Sequence, residues 1–172
     1  MRRKVVVTVI IMICFLLQTT VFQALSFASI SPNLLIVAVS SFGFMRGKKE
    51  GMVIGFFSGL LIDIFYGSVI GLYALLYMYV GYVNGFFRAI FFQDDIKLPM
   101  LLISASDLAC NLCIYFFRFL FRKQFDIGYY FLHLMIPELV YTLLVTILLY
   151  WLILKINQWL EKSEKRSEAK FV

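Results

Sequence analysis

The sequence predicts an all-α membrane protein, a bundle of six transmembrane helices followed by a short charged tail. Hydrophobic residues make up 62% of the 172-residue chain and aromatic residues 18%, and the mean hydropathy is +0.90. Soluble domains use only about 45–50% apolar residues. A membrane-spanning helix needs about 20 mostly apolar residues. The six segments described below occupy residues 1–156, which leaves residues 157–172 as a cytoplasmic tail.

The first two helices are predicted at residues 5–27 and 34–45. A basic N-terminus precedes the first apolar stretch, which resembles a signal peptide. That stretch is nevertheless long enough to span a membrane, so we expect it to be retained. The second helix opens at Ser31-Pro32-Asn33, because proline is tolerated in a first helical turn and serine is a favoured N-cap. It is short for a membrane span.

The third and fourth helices are predicted at residues 52–66 and 72–87, with a basic turn at 46–51 before them and a tight turn at 67–71 between them. Glycine recurs every fourth residue through this part of the chain. Small residues four apart let helix backbones approach closely inside a membrane. The glycines of this repeat are Gly43, Gly47, Gly51, Gly55, Gly59, Gly67 and Gly71.

Asp63 occupies the one position that the glycine repeat skips, and it is the strongest candidate for a functional residue. A carboxyl group at the centre of a spanning helix costs about 2.5–3.5 kcal/mol on insertion scales. It either caps the backbone amides of the following turn or contacts a partner or ligand directly. The neighbouring glycines are assigned to partner binding or to helix packing: Gly51, Gly55, Gly59, Gly67 and Gly71.

The fifth and sixth helices are predicted at residues 100–121 and 129–156, and both carry polar side chains. Asp107 and Asn111 share one face, because they are four residues apart. Glu138 follows Pro137, where a proline kink can leave room for polar groups or water. Asp107, Asn111 and Glu138 are therefore candidates for a polar cluster inside the bundle, although a plain kink is the alternative at Glu138.

The distribution of basic residues predicts that both termini are cytoplasmic. With six spans and the N-terminus inside, thirteen of the sixteen basic residues lie on the cytoplasmic side, as the positive-inside rule requires. The third outer loop, with Arg118, Arg122 and Lys123, is the exception. It leaves open a topology in which the fifth segment does not fully cross.

Catalytic and metal-binding patterns are sparse in this sequence, so we expect no enzyme activity, no cofactor and no metal. His133 is the only histidine, and no phosphate-binding or nucleophile motif is present. The pair Cys110 and Cys113 has no second pair and lies among apolar residues, which favours packing over metal binding. The net charge of +6 comes from segment ends, which indicates contact with anionic lipid and not with nucleic acid.

Residues 59–75, GLLIDIFYGSVIGLYAL, resemble the signature of the rod shape-determining protein MreD family, and residues 18–22 (QTTVF) and 32–34 (PNL) resemble flanking motifs. The resemblance implies a small, non-enzymatic scaffold in the bacterial cytoplasmic membrane. It implies binding to MreC and, indirectly, to MreB, a RodA-type glycosyltransferase and its transpeptidase. It also implies a six-helix fold similar to the substrate-binding subunits of energy-coupling-factor transporters.

Three hypotheses about function follow. The leading one is a scaffold that binds another membrane protein through the glycine-lined faces of residues 51–71 and 81–85. The second is a substrate-binding subunit of a vitamin transporter, for which Ala24 and Ala28 have the right spacing but lie at the outer end of the first helix. The third is an ion-coupled carrier that uses Asp63, Asp107 and Glu138.

Overall fold

The computed structural model describes residues 2–21, 31–67, 70–90, 96–122 and 135–168, which are almost entirely helical and contain no strand. The predicted all-α fold class is confirmed. The described residues form six α-helices: α1 (Arg2–Leu16), α2 (Leu34–Arg46), α3 (Lys48–Tyr66), α4 (Leu72–Asn84), α5 (Lys97–Arg122) and α6 (Ile136–Glu168). A π-helical turn, Leu17–Val21, extends α1, and a 3-10 segment, Gly85–Ile90, extends α4.

Helix α2 is the centre of the bundle. Every residue from Leu34 to Met45 is buried, and α2 contacts each of the other five helices. A helix that is apolar on all sides must be surrounded by other protein segments or by lipid. With 13 residues, α2 is only about 20 Å long, shorter than the hydrocarbon core of a bilayer, at about 30 Å. Its short length is compatible with a membrane because its neighbours cover its ends.

The connection between α2 and α3 is tighter than the sequence analysis predicted. The expected basic turn at residues 46–51 is wrong, because only Gly47 separates the two helices and α3 already begins at Lys48. Gly47 has a φ of 92°, a conformation that glycine adopts without steric strain. Its N–H donates to the Gly43 carbonyl at 2.8 Å. One residue therefore ends α2 and redirects the chain into α3.

Three of the described helical segments are long and apolar enough to cross a membrane: Arg3–Val21, Lys97–Phe117 and Ile136–Ser163. Helix α2 is a shorter apolar helix. Large apolar side chains are exposed on every helix except α2, for example Ile13, Phe57, Tyr79, Phe116 and Leu148. An apolar exterior of this kind is expected for a surface in contact with lipid. The structure thus has the character of a membrane protein, and the six-span topology stays a prediction.

One end of the bundle collects the basic ends of several helices, and we call it the basic end. Arg3 of α1 donates to the side chain of Asn157 of α6 at 3.2 Å. Arg46, the last residue of α2, lies 3.7 Å from the carboxylate of Glu161 of α6. Arg88, which follows α4, donates to the Arg46 carbonyl at 3.0 Å. The start of α1, the α2–α3 junction, the end of α4 and the C-terminal part of α6 therefore meet.

Several sequence predictions fall outside the described residues. These are the outer end of the first helix with Ala24 and Ala28, the loop containing Lys123, the start of the sixth segment with His133, and the side chains of Arg118 and Arg122. Helix α6 continues without a break from residue 136 to residue 168, so the first part of the predicted tail extends the last helix.

Candidate functional site

The glycine repeat of α3 lies against the backbone of α4. A Cβ atom built on any of three of its glycines would overlap a carbonyl group of α4. The pairs are Gly51 with Gly81, Gly55 with Tyr77, and Gly59 with Tyr73. From one pair to the next, the residue number rises by four on α3 and falls by four on α4. The two helices therefore run antiparallel, and each turn of α3 faces one turn of α4. This is the close approach that small residues allow in membrane helices.

Helix α2 joins the same contact through Gly43. A Cβ atom on Gly43 would lie 2.9 Å from the Gly81 carbonyl oxygen, and a Cβ atom on Gly51 would lie 2.9 Å from the Gly43 Cα. Three helices therefore meet at Gly43, Gly51 and Gly81. Since α4 and α2 cover these glycines, the structure assigns them to packing within the chain. Of the two roles expected for the glycines of residues 51–71 and 81–85, partner binding or helix packing, the contacts at Gly51, Gly55, Gly59 and Gly81 favour packing.

Asp63 holds the first turn of α4. Its side chain is 1% exposed, and its carboxylate accepts three backbone hydrogen bonds, from Gly71 N–H at 3.0 Å, Tyr73 N–H at 3.0 Å and Ala74 N–H at 2.8 Å. The first amides of a helix have no partner inside the helix, and the partial positive charge of a helix N-terminus favours an anion. Asp63 of α3 therefore caps α4, and the three N–H groups and the N-terminus of α4 compensate the negative charge of a carboxylate at this position.

Two glycines shape the chain around this cap. Gly67 ends α3, donating from its N–H to the Asp63 carbonyl at 3.1 Å. A Cβ atom on Gly67 would lie 2.6 Å from the same carbonyl oxygen. Gly71 has a φ of 103°, in the left-handed region that favours glycine. Both positions thus require glycine for a local reason, and Asp63, Gly67 and Gly71 act together in the connection between the two helices.

A second set of buried polar side chains joins four helices, and we call it the polar centre: Asn33, Tyr77, Asp107 and Thr142. The Tyr77 hydroxyl on α4 donates to Asn33 Oδ1 at 2.7 Å. The backbone N–H of Asn33, which caps α2, donates to Thr142 Oγ1 on α6 at 3.2 Å. Asp107 on α5 faces both Asn33 and Thr142. The polar centre thus connects α2, α4 and α6 through hydrogen bonds, with Asp107 of α5 beside them.

Asp107 is the least satisfied member of the polar centre. Its residue exposure is 0%, and neither carboxylate oxygen completes a hydrogen bond among the described residues. A buried charged group without good partners is costly. Asp63 and Asp107 are both buried carboxyl groups of this bundle, but only Asp63 has donors aimed at it.

The predicted cluster of Asp107, Asn111 and Glu138 is only partly assembled. Asp107 and Asn111 are both buried inside the bundle. Glu138 is half-buried and lies one helical turn before Thr142 on α6, but none of the hydrogen bonds of the polar centre described above uses it. The sequence analysis did not identify Tyr77 and Thr142 as site residues, and it treated Asn33 as part of a helix start and of the PNL motif, not as a site residue. The position of Asn33, a polar residue directly before an entirely apolar helix start, was the feature of the sequence that could have identified it as a site residue.

A further buried amide crosses between helices nearer the basic end. Asn84 Nδ2, at the end of α4, donates to Ser40 Oγ of α2 at 3.2 Å and to Ser106 Oγ of α5 at 2.8 Å. Hydrogen bonds between spanning helices of this kind each contribute about 0.6 kcal/mol on average. Asn84 therefore adds a second polar link among α2, α4 and α5.

Within the described residues there is no group of three or more histidine, cysteine or acidic side chains that could hold a metal ion. Cys110 is buried and Cys113 is exposed, so the two thiols of the C-x-x-C pair lie in different environments. His133 lies outside the described residues. The described site is therefore one of buried backbone contacts, a helix cap and an incompletely bonded carboxyl group.

Comparison with known proteins gives one match. The family model described as rod shape-determining protein MreD matches residues 1–160, so the resemblance seen in residues 59–75 is confirmed over most of the chain. No curated protein and no solved structure matches the chain. The expected likeness to substrate-binding subunits of energy-coupling-factor transporters, and the vitamin-transporter hypothesis based on it, have no support from these comparisons.

Proposed function

Because the chain belongs to the rod shape-determining protein MreD family, we propose that it is a non-enzymatic, multi-pass subunit of the bacterial cell-elongation machinery that binds MreC. The match over residues 1–160 carries this proposal, since the family consists of shape-determining structural proteins and is not a known enzyme family. Through MreC the chain connects indirectly to MreB, a RodA-type glycosyltransferase and its transpeptidase. Its role is to help organise peptidoglycan synthesis along the side wall.

The basic end supports the topology that this function needs. The start of α1 and the C-terminal part of α6 are joined there through Arg3 and Asn157. The α2–α3 junction and the segment after α4 reach the same end through Arg46 and Arg88. Basic residues near helix ends favour the cytoplasmic side. A bundle with six spans and both termini cytoplasmic satisfies these contacts and the charge rule together.

The packing supports a scaffold that presents a rigid surface. Backbone contacts between α3 and α4 and the completely buried α2 leave little freedom inside the bundle. The apolar side chains that remain exposed lie on the lateral faces, including Phe57 of α3, Phe116 of α5 and Leu148 of α6. In lipid, association between helices depends on van der Waals packing and interhelical hydrogen bonds. We place the contact with MreC on one of these lateral faces and not on the glycines.

Site-specific photo-cross-linking in cells tests the proposal. A photoreactive amino acid is placed at one exposed position on each of four helices: Phe57, Tyr79, Phe116 and Leu148. Val37 in α2 is the control, because it is 0% exposed. We expect a cross-link to MreC from at least one exposed position and none from Val37. Absence of every cross-link to MreC, together with failure of the two proteins to co-purify, would contradict the proposal.

Depletion of the protein provides the cellular test. If the chain maintains side-wall synthesis, rod-shaped cells that lose it become round, and the wild-type chain restores their shape. Newly made peptidoglycan, labelled with a fluorescent D-amino acid, should move away from the side wall during depletion. Cells that keep their rod shape and labelling pattern after the protein has disappeared would rule out this role.

A further inference from the structure

An ionised Asp107 would be an uncompensated charge inside a bundle that lies in a membrane. The carboxylate is fully buried beside the side chains of Asn33 and Thr142, and neither of its oxygens completes a hydrogen bond within the part of the chain that the structure describes. An ionised carboxylate inside a membrane is stable only when it is paired, hydrated or neutralised. Removing such a group from water without compensation has a desolvation penalty of several kcal/mol.

Among the described residues, the groups beside Asp107 supply no positive charge. Asn33 and Thr142 face it from α2 and α6, and both are neutral. Within the described ranges, the titratable groups that face it are the Tyr77 phenol on α4 and the Cys110 thiol on α5, neither of which can become a cation. Arg46 pairs with Glu50 and with Glu161 at the basic end.

Asp63 shows how the same bundle surrounds another buried carboxyl group. It accepts three backbone N–H groups at 2.8–3.0 Å and lies at the N-terminus of α4. The helix dipole and three charge-assisted hydrogen bonds compensate its charge. Asp107 lies instead in the middle of α5, beside side-chain amide and hydroxyl groups. The two acids therefore occupy different electrostatic environments.

We propose that the polar centre binds a small monovalent cation, H⁺ or Na⁺, at the carboxylate of Asp107. The two ions share the chemistry that the site needs, a single positive charge that prefers oxygen. A proton forms an O–H bond on one carboxylate oxygen and makes Asp107 a neutral donor and acceptor. This inference does not depend on the proposed role in cell elongation.

The neighbouring oxygens determine which groups can contact a Na⁺ ion. Asn33 Oδ1 already accepts hydrogen bonds from the Tyr77 hydroxyl and from the Ile36 N–H, so it is occupied. Thr142 Oγ1 accepts one hydrogen bond, from the Asn33 N–H, and keeps a second lone pair. The Tyr77 oxygen donates its proton and keeps its lone pairs. Asp107, Thr142 and Tyr77 are therefore the ligands that we assign to Na⁺.

Cation binding at this point is coupled to the packing of α5. Asp107 can stay buried against Asn33 and Thr142 only while its charge is neutralised. When the cation leaves, the ionised carboxylate gains solvation energy by drawing water between α5 and its neighbours, and the bundle becomes less stable. A ligand that binds only the packed state raises its stability with concentration.

The test measures the thermal unfolding of the purified full-length protein in detergent, followed by the fluorescence of Trp151 and Trp159. In the first arm, NaCl replaces choline chloride at constant ionic strength and alkaline pH. In the second arm, the pH is lowered in choline chloride alone. For Na⁺ binding we expect the midpoint to rise in the first arm by about 3 °C for each tenfold increase in Na⁺ above its Kd. For H⁺ binding we expect the rise only in the second arm.

Three variants connect the effect to the polar centre. Asp107→Asn should abolish the response in both arms. Thr142→Val keeps the side-chain shape and should shift the Na⁺ or pH midpoint, which tests the site even if Asp107→Asn does not fold. Asp63→Asn should keep the response of the wild type. A wild type that responds in neither arm, or a response that survives in Asp107→Asn, would overturn the proposal.

Discussion

Gly51 of α3 and Gly81 of α4 face each other directly. The backbone of each glycine fills the space that a side chain on the other glycine would need. A Cβ atom on either glycine would overlap the carbonyl oxygen of its partner. The contact is therefore between two backbones, with no side chain between them. It lies at one end of a row that continues through Gly55 and Gly59 toward the Asp63 cap.

The first prediction concerns this row. Replacing Gly55 with alanine or leucine should destabilise the bundle, because the new side chain meets the backbone of Tyr77. Overpacking of a tight interior costs about 1–3 kcal/mol, and leucine should exceed alanine. The matched control is Met52→Leu, one turn away on the exposed side of the same helix. Thermal unfolding in detergent measures the effect, and equal midpoints for Gly55→Leu and the control would contradict the packing described.

The second prediction concerns the cap on α4. Asp63→Ala leaves three backbone N–H groups, one buried and two part-buried, without their acceptor, whereas Asp63→Asn keeps one acceptor oxygen and loses the charge. Hydrogen bonds to charged groups contribute about 1.5–3 kcal/mol each, so stability should fall in the order wild type, Asp63→Asn, Asp63→Ala.

Hydrogen exchange measured by mass spectrometry locates this loss. Faster exchange is expected at the start of α4, at Tyr73 and Ala74, and not at the centre of α2. Unchanged exchange at these two amides in Asp63→Ala would show that the carboxylate does not hold the turn.

The third prediction concerns the buried hydroxyl of Tyr77. Tyr77→Phe removes its hydrogen bond to Asn33 and should destabilise the protein by about 0.6–1.7 kcal/mol, between the average and the maximum measured for hydrogen bonds between membrane helices. Tyr79→Phe is the matched control on the same helix, since Tyr79 is 63% exposed. A double-mutant cycle with Asn33→Ala measures the coupling directly. Equal effects of the two tyrosine replacements would refute a specific role for the buried hydroxyl.

The fourth prediction concerns membrane orientation. Lys49 lies beside the basic end, and Ile70 lies beyond the other end of α3, a helix of 19 residues and therefore about 28 Å long. In a cysteine-free background, Ile70→Cys should react with a membrane-impermeant maleimide added to intact cells. Lys49→Cys should react only after the cells are opened. The opposite pattern would place the basic end outside the cell and invalidate the proposed topology.

The sequence was sufficient for the fold class and for the existence of the helices, because long apolar segments follow from composition. It did not give the helix boundaries on either side of Gly47 or the end of the last helix. It also indicated close packing through the glycine repeat. It could not identify the surface opposite those glycines, since a period of four residues describes one helix and not its neighbour. A glycine at every fourth residue allows close packing against a helix of a partner protein as well as against α4.

The polar centre was harder to predict because its members are far apart in the chain. Asn33 and Thr142 are separated by 109 residues, and Asn33 and Tyr77 by 44. Tyr77 is one of several tyrosines in its segment, and Thr142 is one of two threonines in a mostly aliphatic segment, the other being Thr146. Asp107 was recognisable because charge is rare in such segments, whereas its neutral neighbours became recognisable only once the helices were placed in space.

The central position of α2 has a consequence for biogenesis. The ribosome produces this short helix early, long before α6 exists to receive the Asn33 N–H at Thr142. Until synthesis ends, the start of α2 faces lipid or the insertion machinery with its polar cap unmatched. Completion of the last helix therefore determines when the protein becomes mature, and a chain truncated before residue 142 should be recognised as defective by membrane proteases.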